Sequence, residues 1–370
     1  MLLILIFALQ AYNLNWNFKD KPFVIAGPCS AESHEQVFNT FKSLSTNPQI
    51  NVFRAGIWKP RTRPDSFEGM GEKALTWLID AKKTFQIPVA VEVANASHVE
   101  SCLKYGIDML WIGARSTVSP FTVQEIADSL KGVKIPVMIK NPVNPDLSLW
   151  IGAVERIQNS GIEKVAVIHR GFSYNGGSVY RNLPNWEIPI EFKRLKSDIP
   201  MLCDPSHITG DSSLIADTCQ KAIDLNFDGF MIESHINPKE ALSDAKQQVT
   251  PQELENILNS LTYRVDNNLT AEFLTKIESL RHDIDQIDYD VILKFAERMK
   301  IVREIGLYKK DSQVTILKIK RWEQIIKDRL KKGKEVGLSA EFIEKIMQLI
   351  HKESIRIQNE VMNRHKDEQP

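Results

Sequence analysis

The chain has 370 residues, in which 47 lysines and arginines balance 47 aspartates and glutamates. Zero formal charge excludes a global field for nucleic acid or a membrane surface, so any anion-binding site must be a local cluster of cations. The length exceeds one ordinary domain and predicts two, while four cysteines without disulfide-framework spacing, Cys29, Cys102, Cys203 and Cys219, point to a reducing compartment, the cytoplasm.

Residues 1–12 read as an apolar N-terminal extension: Met1 to Leu9 is too short to span a bilayer and has neither a basic flank nor a small-residue cleavage site. Residues 13–261 read as a barrel. Eight short runs rich in Val, Ile, Leu and Met recur there: Phe23 to Pro28, Val52 to Trp58, Val89 to Val93, Met109 to Arg115, Val137 to Asn141, Lys164 to Gly171, Met201 to His207 and Gly229 to His235. Each has strand length, and a segment long enough for a helix separates it from the next. Buried strands alternating with helices predict a parallel sheet. Eight such units close into a (β/α)8 TIM barrel, an α/β fold whose chemistry sits at the carboxyl ends of the strands. Those ends carry Cys29, Arg54 with Lys59, Glu92, Arg115, Lys140, His169 with Arg170, His207 and Glu233.

The period changes after Leu261. Residues 262–269, with Asp266, Asn267 and Asn268, read as a polar linker, and residues 270–370 as an all-α module of three helices. Phe273, Ile277, Leu280, Ile284, Ile287, Val291, Phe295, Met299 and Val302 recur at three- and four-residue spacing, predicting one long helix from Thr270 to Lys309. A second is predicted from Val314 to Lys332, ended by Gly333 and Gly337, and a third from Ser339 as N-cap to Arg364.

Four potential metal ligands sit where barrel loops can bring them together: Cys29, His207, Glu233 and Asp244. One thiolate, one imidazole and two carboxylates suit Mn²⁺, Fe²⁺, Co²⁺ or Zn²⁺ better than Mg²⁺, and ligand types alone do not choose among the four. Singly, each has an ordinary structural use, as a buried thiol, a turn histidine or a helix cap. Arg54, Lys59, Arg61, Arg63, Arg115, Lys140 and Arg170 cluster at the strand ends, so the barrel mouth is predicted to be positive. So many cations imply guests with more than one anionic group.

Seven ordered motifs then become recognisable: Ala26-Gly27-Pro28-Cys29-Ser30, Phe53-Arg54-Ala55-Gly56, Lys59-Pro60-Arg61-Thr62, Ile112-Gly113-Ala114-Arg115, Asp204-Pro205-Ser206-His207, Ile232-Glu233-Ser234-His235 and Ala241-Leu242-Ser243-Asp244. From Phe23 to Leu261 the chain resembles 3-deoxy-D-arabino-heptulosonate 7-phosphate (DAHP) synthase, in the compact subtype that shares features with octulosonate synthase. The resemblance implies a divalent metal on Cys29, His207, Glu233 and Asp244. It implies phosphoenolpyruvate on Arg54, Lys59, Arg115, Lys140 and Arg170, the phosphate end of erythrose 4-phosphate on Arg61 and Thr62, and Glu92 as a supporting or water-positioning carboxylate. Lys59 is the candidate to protonate or shield the alkoxide formed in the condensation.

The second module resembles the all-helical chorismate mutase domain through Leu280-Arg281, Ala296-Glu297-Arg298, Lys309, Arg321, and Ser354 with Gln358. The resemblance implies a pocket lined by Arg281, Arg298, Lys309, Arg321, Ser354 and Gln358 that converts chorismate to prephenate, with Lys309 and Gln358 at the breaking ether oxygen. Trp322 departs from a position that is often Glu in the family, and Glu323 is its neighbour. Helix geometry adds an independent point: Arg298 and Lys309, eleven residues apart, share a face about 16 Å apart, whereas Arg281 lies roughly 25 Å from Arg298 on another face. If Arg281 takes part, it must come from a second subunit, which predicts a homodimer through the helical module.

The preferred reading is a bifunctional shikimate-pathway enzyme whose mutase module also confers feedback regulation. The alternative is an octulosonate or sialic acid synthase barrel with a non-catalytic helical sensor or dimerisation module.

Overall fold

The computed structural model describes residues 16–18, 22–59, 67–174, 176–263 and 270–363. The chain separates into two compact units, Met1–Arg264 and Val265–Pro370. The N-terminal extension and all of the expected linker except Thr262 and Tyr263 lie outside the described residues.

The first unit is a closed barrel of eight strands in sequence order: β1 (Phe23–Gly27), β2 (Ile50–Ala55), β3 (Val89–Val93), β4 (Met109–Ile112), β5 (Val137–Lys140), β6 (Val165–His169), β7 (Met201–Cys203) and β8 (Gly229–Glu233). All neighbours pair in parallel, and β8 returns to β1 with Gly27 opposite Glu233. Helices cross between the strands, including α1 (His34–Leu44), α2 (Glu72–Phe85), α3 (Ala96–Tyr105), α4 (Ala114–Thr117), α5 (Pro120–Ser129), α6 (Leu147–Asn159), α7 (Glu187–Leu195), α8 (Pro205–Thr209), α9 (Ile215–Asp224) and α10 (Pro251–Ser260).

Strand side chains alternate between faces, which splits the buried residues into two cores. Val24, Ala26, Phe53, Val91, Leu110, Ile139, Val167 and Ile232 face outward into the helices. Phe23, Ile25, Val52, Ala90, Met109, Trp111, Met138, Ala166, Ile168, Leu202 and Met231 fill the interior, with Trp16 and Phe18 packed against them. Continuing the inward series by one step reaches Arg54, Glu92, Lys140, Arg170, Asp204 and Glu233. The parity that fills the barrel floor with hydrocarbon therefore aims charged residues into its mouth. His169, one residue out of phase, packs outside the sheet among Trp150, Phe172, Trp186 and Phe227 rather than in the mouth.

The second unit contains three helices among its described residues: α11 (Ala271–Asp311), α12 (Ile319–Glu335) and α13 (Ala340–Asn363). Thr270 caps α11 by accepting from Phe273 N–H. Two boundaries differ from expectation. Helix α12 starts at Ile319 rather than Val314, because the chain first has to leave α11. Gly333 lies inside α12, where a Cβ would stand 2.5 Å from Ile343 Cγ1; its role is close approach to α13, and Gly337 at φ +80° ends the segment.

Candidate active sites

The barrel mouth is built on buried cations whose geometry is fixed by backbone and carboxylates. The Arg54 guanidinium donates from Nη2 to the Cys29 carbonyl at 3.1 Å, places Nη1 3.2 Å from Glu233 Oε1, and lies over the Trp111 ring at 4.9 Å. Trp111 Nε1–H in turn donates to Glu92 Oε2 at 2.9 Å. Lys140 donates to Asp204 Oδ2 at 2.8 Å, in a fully buried pair. Arg170 donates from Nη1 to Asn182 Oδ1 at 2.7 Å, while its backbone N–H is held by Asn141 Oδ1. Burial lowers the Arg170 guanidinium to about 10, opposed by Asp204 and assisted by Arg181 and Arg115. Arg115, on α4, is thus near enough for its charge to be felt. Lys59 reaches back from beyond β2 to donate to Cys29 O at 2.5 Å and Cys29 Sγ at 3.0 Å. Arg61 and Thr62 lie outside the described residues.

The four expected ligands reach the same rim as two touching pairs. Cys29 Sγ donates to Asp244 Oδ2 at 3.3 Å, and His207 Nε2 lies 3.7 Å from Glu233 Oε1. Among the described residues no three His, Cys, Asp or Glu side chains are arranged to hold a metal ion as they stand. Three of the four also meet other partners: Arg181 donates to Asp244 Oδ1 at 2.9 Å, Gln247 to Glu233 Oε2 at 2.7 Å, and Lys59 to the cysteine sulfur.

The donors nevertheless suit a divalent cation. His207 Nδ1 faces Asp204 at 2.8 Å, which assigns its proton there and leaves Nε2 bare; a carboxylate behind an imidazole is the usual support of a metal-binding histidine. Burial holds His207 below its ordinary pKa and so neutral, against the pull of Asp204. Glu233 Oε1 is buried without a hydrogen bond. Burial would raise the Glu233 pKa, but the Arg54 and Lys59 charges oppose it and the group lies below its ordinary value. Burial, with Glu233 and Asp244, pushes the Cys29 thiol up to about 12, so a cation would have to displace its proton.

Several site residues escaped the sequence reading. Asp204 stood in a quoted motif without a role, yet it orients both Lys140 and His207. Arg181, Asn182, Gln247 and Gln248 sit in loops with no periodic signal. Gln248 accepts from Cys29 N–H at 2.9 Å and donates to Ser243 O at 2.8 Å, tying the first loop to the one carrying Asp244. Asp244 adopts φ +49°, a left-handed conformation that aspartate tolerates better than most residues.

In the second unit the pocket residues meet across α11 and α13. Arg298 Nη1 donates to Ser354 Oγ at 2.7 Å, and Lys309 Nζ to Gln358 Oε1 at 2.8 Å. Gly306 allows this approach, its missing Cβ lying 3.4 Å from Gln358 Cα. Arg321 is exposed at the start of α12. Trp322 stacks on His351 at 3.9 Å, whereas Glu323 is exposed. Arg281 is exposed and paired with Glu278 at 2.6 Å; the single unit does not bring it to the other cations.

A closed parallel barrel with a cationic mouth, followed by an all-helical unit with its own cationic pocket, defines a two-domain enzyme. Residues 16–267 match the DAHP synthetase I family, and residues 280–359 match chorismate mutase type II. The chain belongs to the DAHP synthetase I family and carries both a DAHP synthase (transferase) domain and a chorismate mutase (isomerase) domain. It is 32% identical over 250 residues to a phospho-2-dehydro-3-deoxyheptonate aldolase of Thermotoga maritima, covering 66% of this chain and 72% of that one. It is 26% identical over 262 residues to a 2-dehydro-3-deoxyphosphooctonate aldolase of Wolinella succinogenes, covering 64% and 97%. The crystal structure of the Thermotoga maritima DAHP synthase superposes with a TM-score of 0.58 at 28% identity, over 66% of this chain and 71% of that one. No helix among the described residues is long and apolar enough to cross a membrane.

Proposed function

We propose that the barrel, residues 13–261, condenses phosphoenolpyruvate with erythrose 4-phosphate to DAHP, and that residues 270–370 beyond the polar linker rearrange chorismate to prephenate. The barrel reading rests on one arrangement above all: the bare Nε2 of His207 faces the hydrogen-bond-free Oε1 of Glu233 inside a ring of buried cations. Cys29, His207, Glu233 and Asp244 would hold a divalent ion, Mn²⁺ first among Fe²⁺, Co²⁺ and Zn²⁺. When bound, such an ion polarises the aldehyde carbonyl.

The chain's own groups do the rest. Arg54, Lys59, Arg115, Lys140 and Arg170 hold the carboxylate and phosphate of phosphoenolpyruvate, while Arg61 and Thr62 take the phosphate of the aldose. Fixing two anions face to face removes much of the entropic cost of a bimolecular step. The methylene carbon of phosphoenolpyruvate forms the new bond to the aldehyde carbon, and Lys59 delivers a proton to the aldehyde oxygen. Glu92 orients the water that adds at the enol-derived carbon, and inorganic phosphate leaves. Excess EDTA should abolish condensation and Mn²⁺ restore it; undiminished activity in EDTA removes the ion from the reading.

For the mutase, a pericyclic shift needs neither nucleophile nor base. Arg298, Arg321 and Arg281 from a second copy of the chain hold the two carboxylates, and Lys309 with Gln358 stabilises charge on the breaking ether oxygen. The Lys309–Gln358 and Arg298–Ser354 contacts support this reading. Lys309→Ala should abolish chorismate turnover with helicity retained, and full residual turnover would contradict the assignment. We assign the chain to the cytoplasm on its four unpaired cysteines, and further propose that the mutase unit imposes feedback on the condensation.

A further inference from the structure

One contact at the barrel mouth is used by none of these roles. Trp58, immediately before Lys59, lies flat on the imidazole of His98, with ring centroids 3.8 Å apart and planes 4° from parallel. His98 belongs to α3, which follows β3, so the stack joins the loops beyond two neighbouring strands.

The histidine is itself fixed. Its backbone N–H donates to the cap residue Asn95 at Oδ1, 2.9 Å, and its Nδ1 accepts from Ala94 N–H at 3.3 Å. An accepting Nδ1 assigns the ring proton to Nε2, a neutral ring; burial lowers the pKa in the same sense, against the opposing pull of Glu92. The other side of the Trp58 segment is closed by backbone. Gly71 N–H donates to Ile57 O at 3.0 Å and Lys59 N–H to Glu68 O at 2.8 Å. Gly69, at φ +94°, comes so near that a Cβ there would stand 2.1 Å from Ile57 O. Residues 57–59 are thus held between a backbone clamp and an aromatic shelf. From this anchor the Lys59 side chain crosses to Cys29, through space that Gly56 leaves open; a Cβ on Gly56 would stand 2.9 Å from both Lys59 Cε and Nζ.

We propose that His98 is a positioning residue for Lys59, acting through its stack on Trp58. A lysine carries its charge on a flexible four-carbon stem, so its ammonium is placed only as well as its backbone anchor is held. A rigid π-stack adds orientation that an aliphatic contact lacks. Of the five groups that hold phosphoenolpyruvate, only Lys59 directly follows Trp58; Arg54, Arg115, Lys140 and Arg170 stand on β2, α4, β5 and just past β6. Loss of the shelf should therefore lower turnover more than affinity for that substrate.

The proposal rests on the synthase reading of the barrel, and steady-state condensation kinetics of the full chain test the two separately. Displacement by ~1 Å of a catalytic group costs up to about a hundredfold, so His98→Ala should lower kcat by about ten- to a hundredfold. KM for phosphoenolpyruvate should stay within about twofold, because the other four cations keep their places and carry most of its binding. His98→Phe, which keeps a stackable ring, should recover kcat to within about threefold, while His98→Asn, which keeps an acceptor near Ala94 N–H but no ring, should resemble alanine. If the alanine variant fails to fold, the Phe and Asn pair decides alone. Rescue by Asn and not by Phe, wild-type kcat in the alanine or Asn variant, or a KM for phosphoenolpyruvate rising in step with the loss would overturn the positioning role. Lys59→Ala is the control: full activity there overturns the reading of the site itself, whereas an inactive Lys59→Ala beside a fully active His98→Ala overturns only the shelf.

Discussion

At the scale of single residues, strand parity decides which buried group faces the barrel mouth and which carries a stability cost. Arg170 points into the mouth, and its neighbour His169 is sealed outside the sheet among four aromatic rings. Neither ring nitrogen of His169 has a well-formed hydrogen bond, only the Pro184 carbonyl approaching it, and burial together with the Arg170 charge lowers its pKa from 6.5 to about 3. A histidine kept neutral in the fold binds its proton more readily in the unfolded chain. Its contribution is therefore complete above pH 6.5 and shrinks as pH falls from 6.5 toward 3. Between pH 7 and pH 5 this one linkage should remove about 2 kcal/mol of barrel stability, while His169→Phe, with no titrating group, should not show that increment. Urea unfolding of both chains at the two pH values checks it. Equal losses would show that His169 is not buried neutral. The same parity explains what was legible beforehand. Arg54, Glu92, Lys140 and Glu233 each end an apolar run, so the sequence exposed them as mouth residues. Arg181, Gln247 and Gln248 were not legible, because their positions are set by loop closure between distant strands and no periodicity marks them.

At the scale of elements, the long helix α11 carries more apolar surface than its own unit covers. The three- and four-residue spacing of Phe273, Leu280, Ile284, Ile287, Val291 and Phe295 reads in the sequence as a helix facing a core. Yet Ile284 is 57% exposed and Ile287 61%, and Leu280 and Val291 are exposed as well. Periodicity reveals that a stripe is to be buried but not by what, so the helix was legible and its covering element was not. Contiguous exposed apolar faces of this size mark interaction surfaces. On the dimer reading proposed above, a second copy of the chain covers this stripe and also resolves the placement of Arg281, which sits on the same helix roughly 25 Å from Arg298. Ile287→Asp, placing a charge in the middle of the stripe, should shift the protein to monomer in sedimentation or gel filtration and lower chorismate turnover by at least about tenfold, since burying an unpaired carboxylate is strongly unfavourable. Condensation should persist. A variant that remains dimeric, or a monomer with undiminished mutase activity, would remove the shared pocket.

At the scale of the whole molecule, two compact units in one chain carry a synthase and a mutase domain; on the reading proposed above, one calls for a divalent ion and two phosphorylated substrates and the other only for a rigid cationic pocket. Chelation should accordingly silence condensation and leave chorismate turnover intact. The fusion gains a further meaning if the proposed feedback operates, and thermodynamics restricts how it can. Prephenate can restrain the barrel only by binding two states of the chain unequally, and whatever factor it imposes on phosphoenolpyruvate affinity must return in the opposite direction. We expect a coupling of about 1–3 kcal/mol, the usual range for linked sites, equivalent to a five- to 150-fold change in apparent affinity. Calorimetric titration of prephenate with and without saturating phosphoenolpyruvate, beside titration of phosphoenolpyruvate with and without saturating prephenate, measures both directions. Matching factors above unity would establish communication between the pockets. Factors of unity both ways, with no loss of condensation rate as prephenate is added, would reduce the fusion to two independent catalysts in one chain.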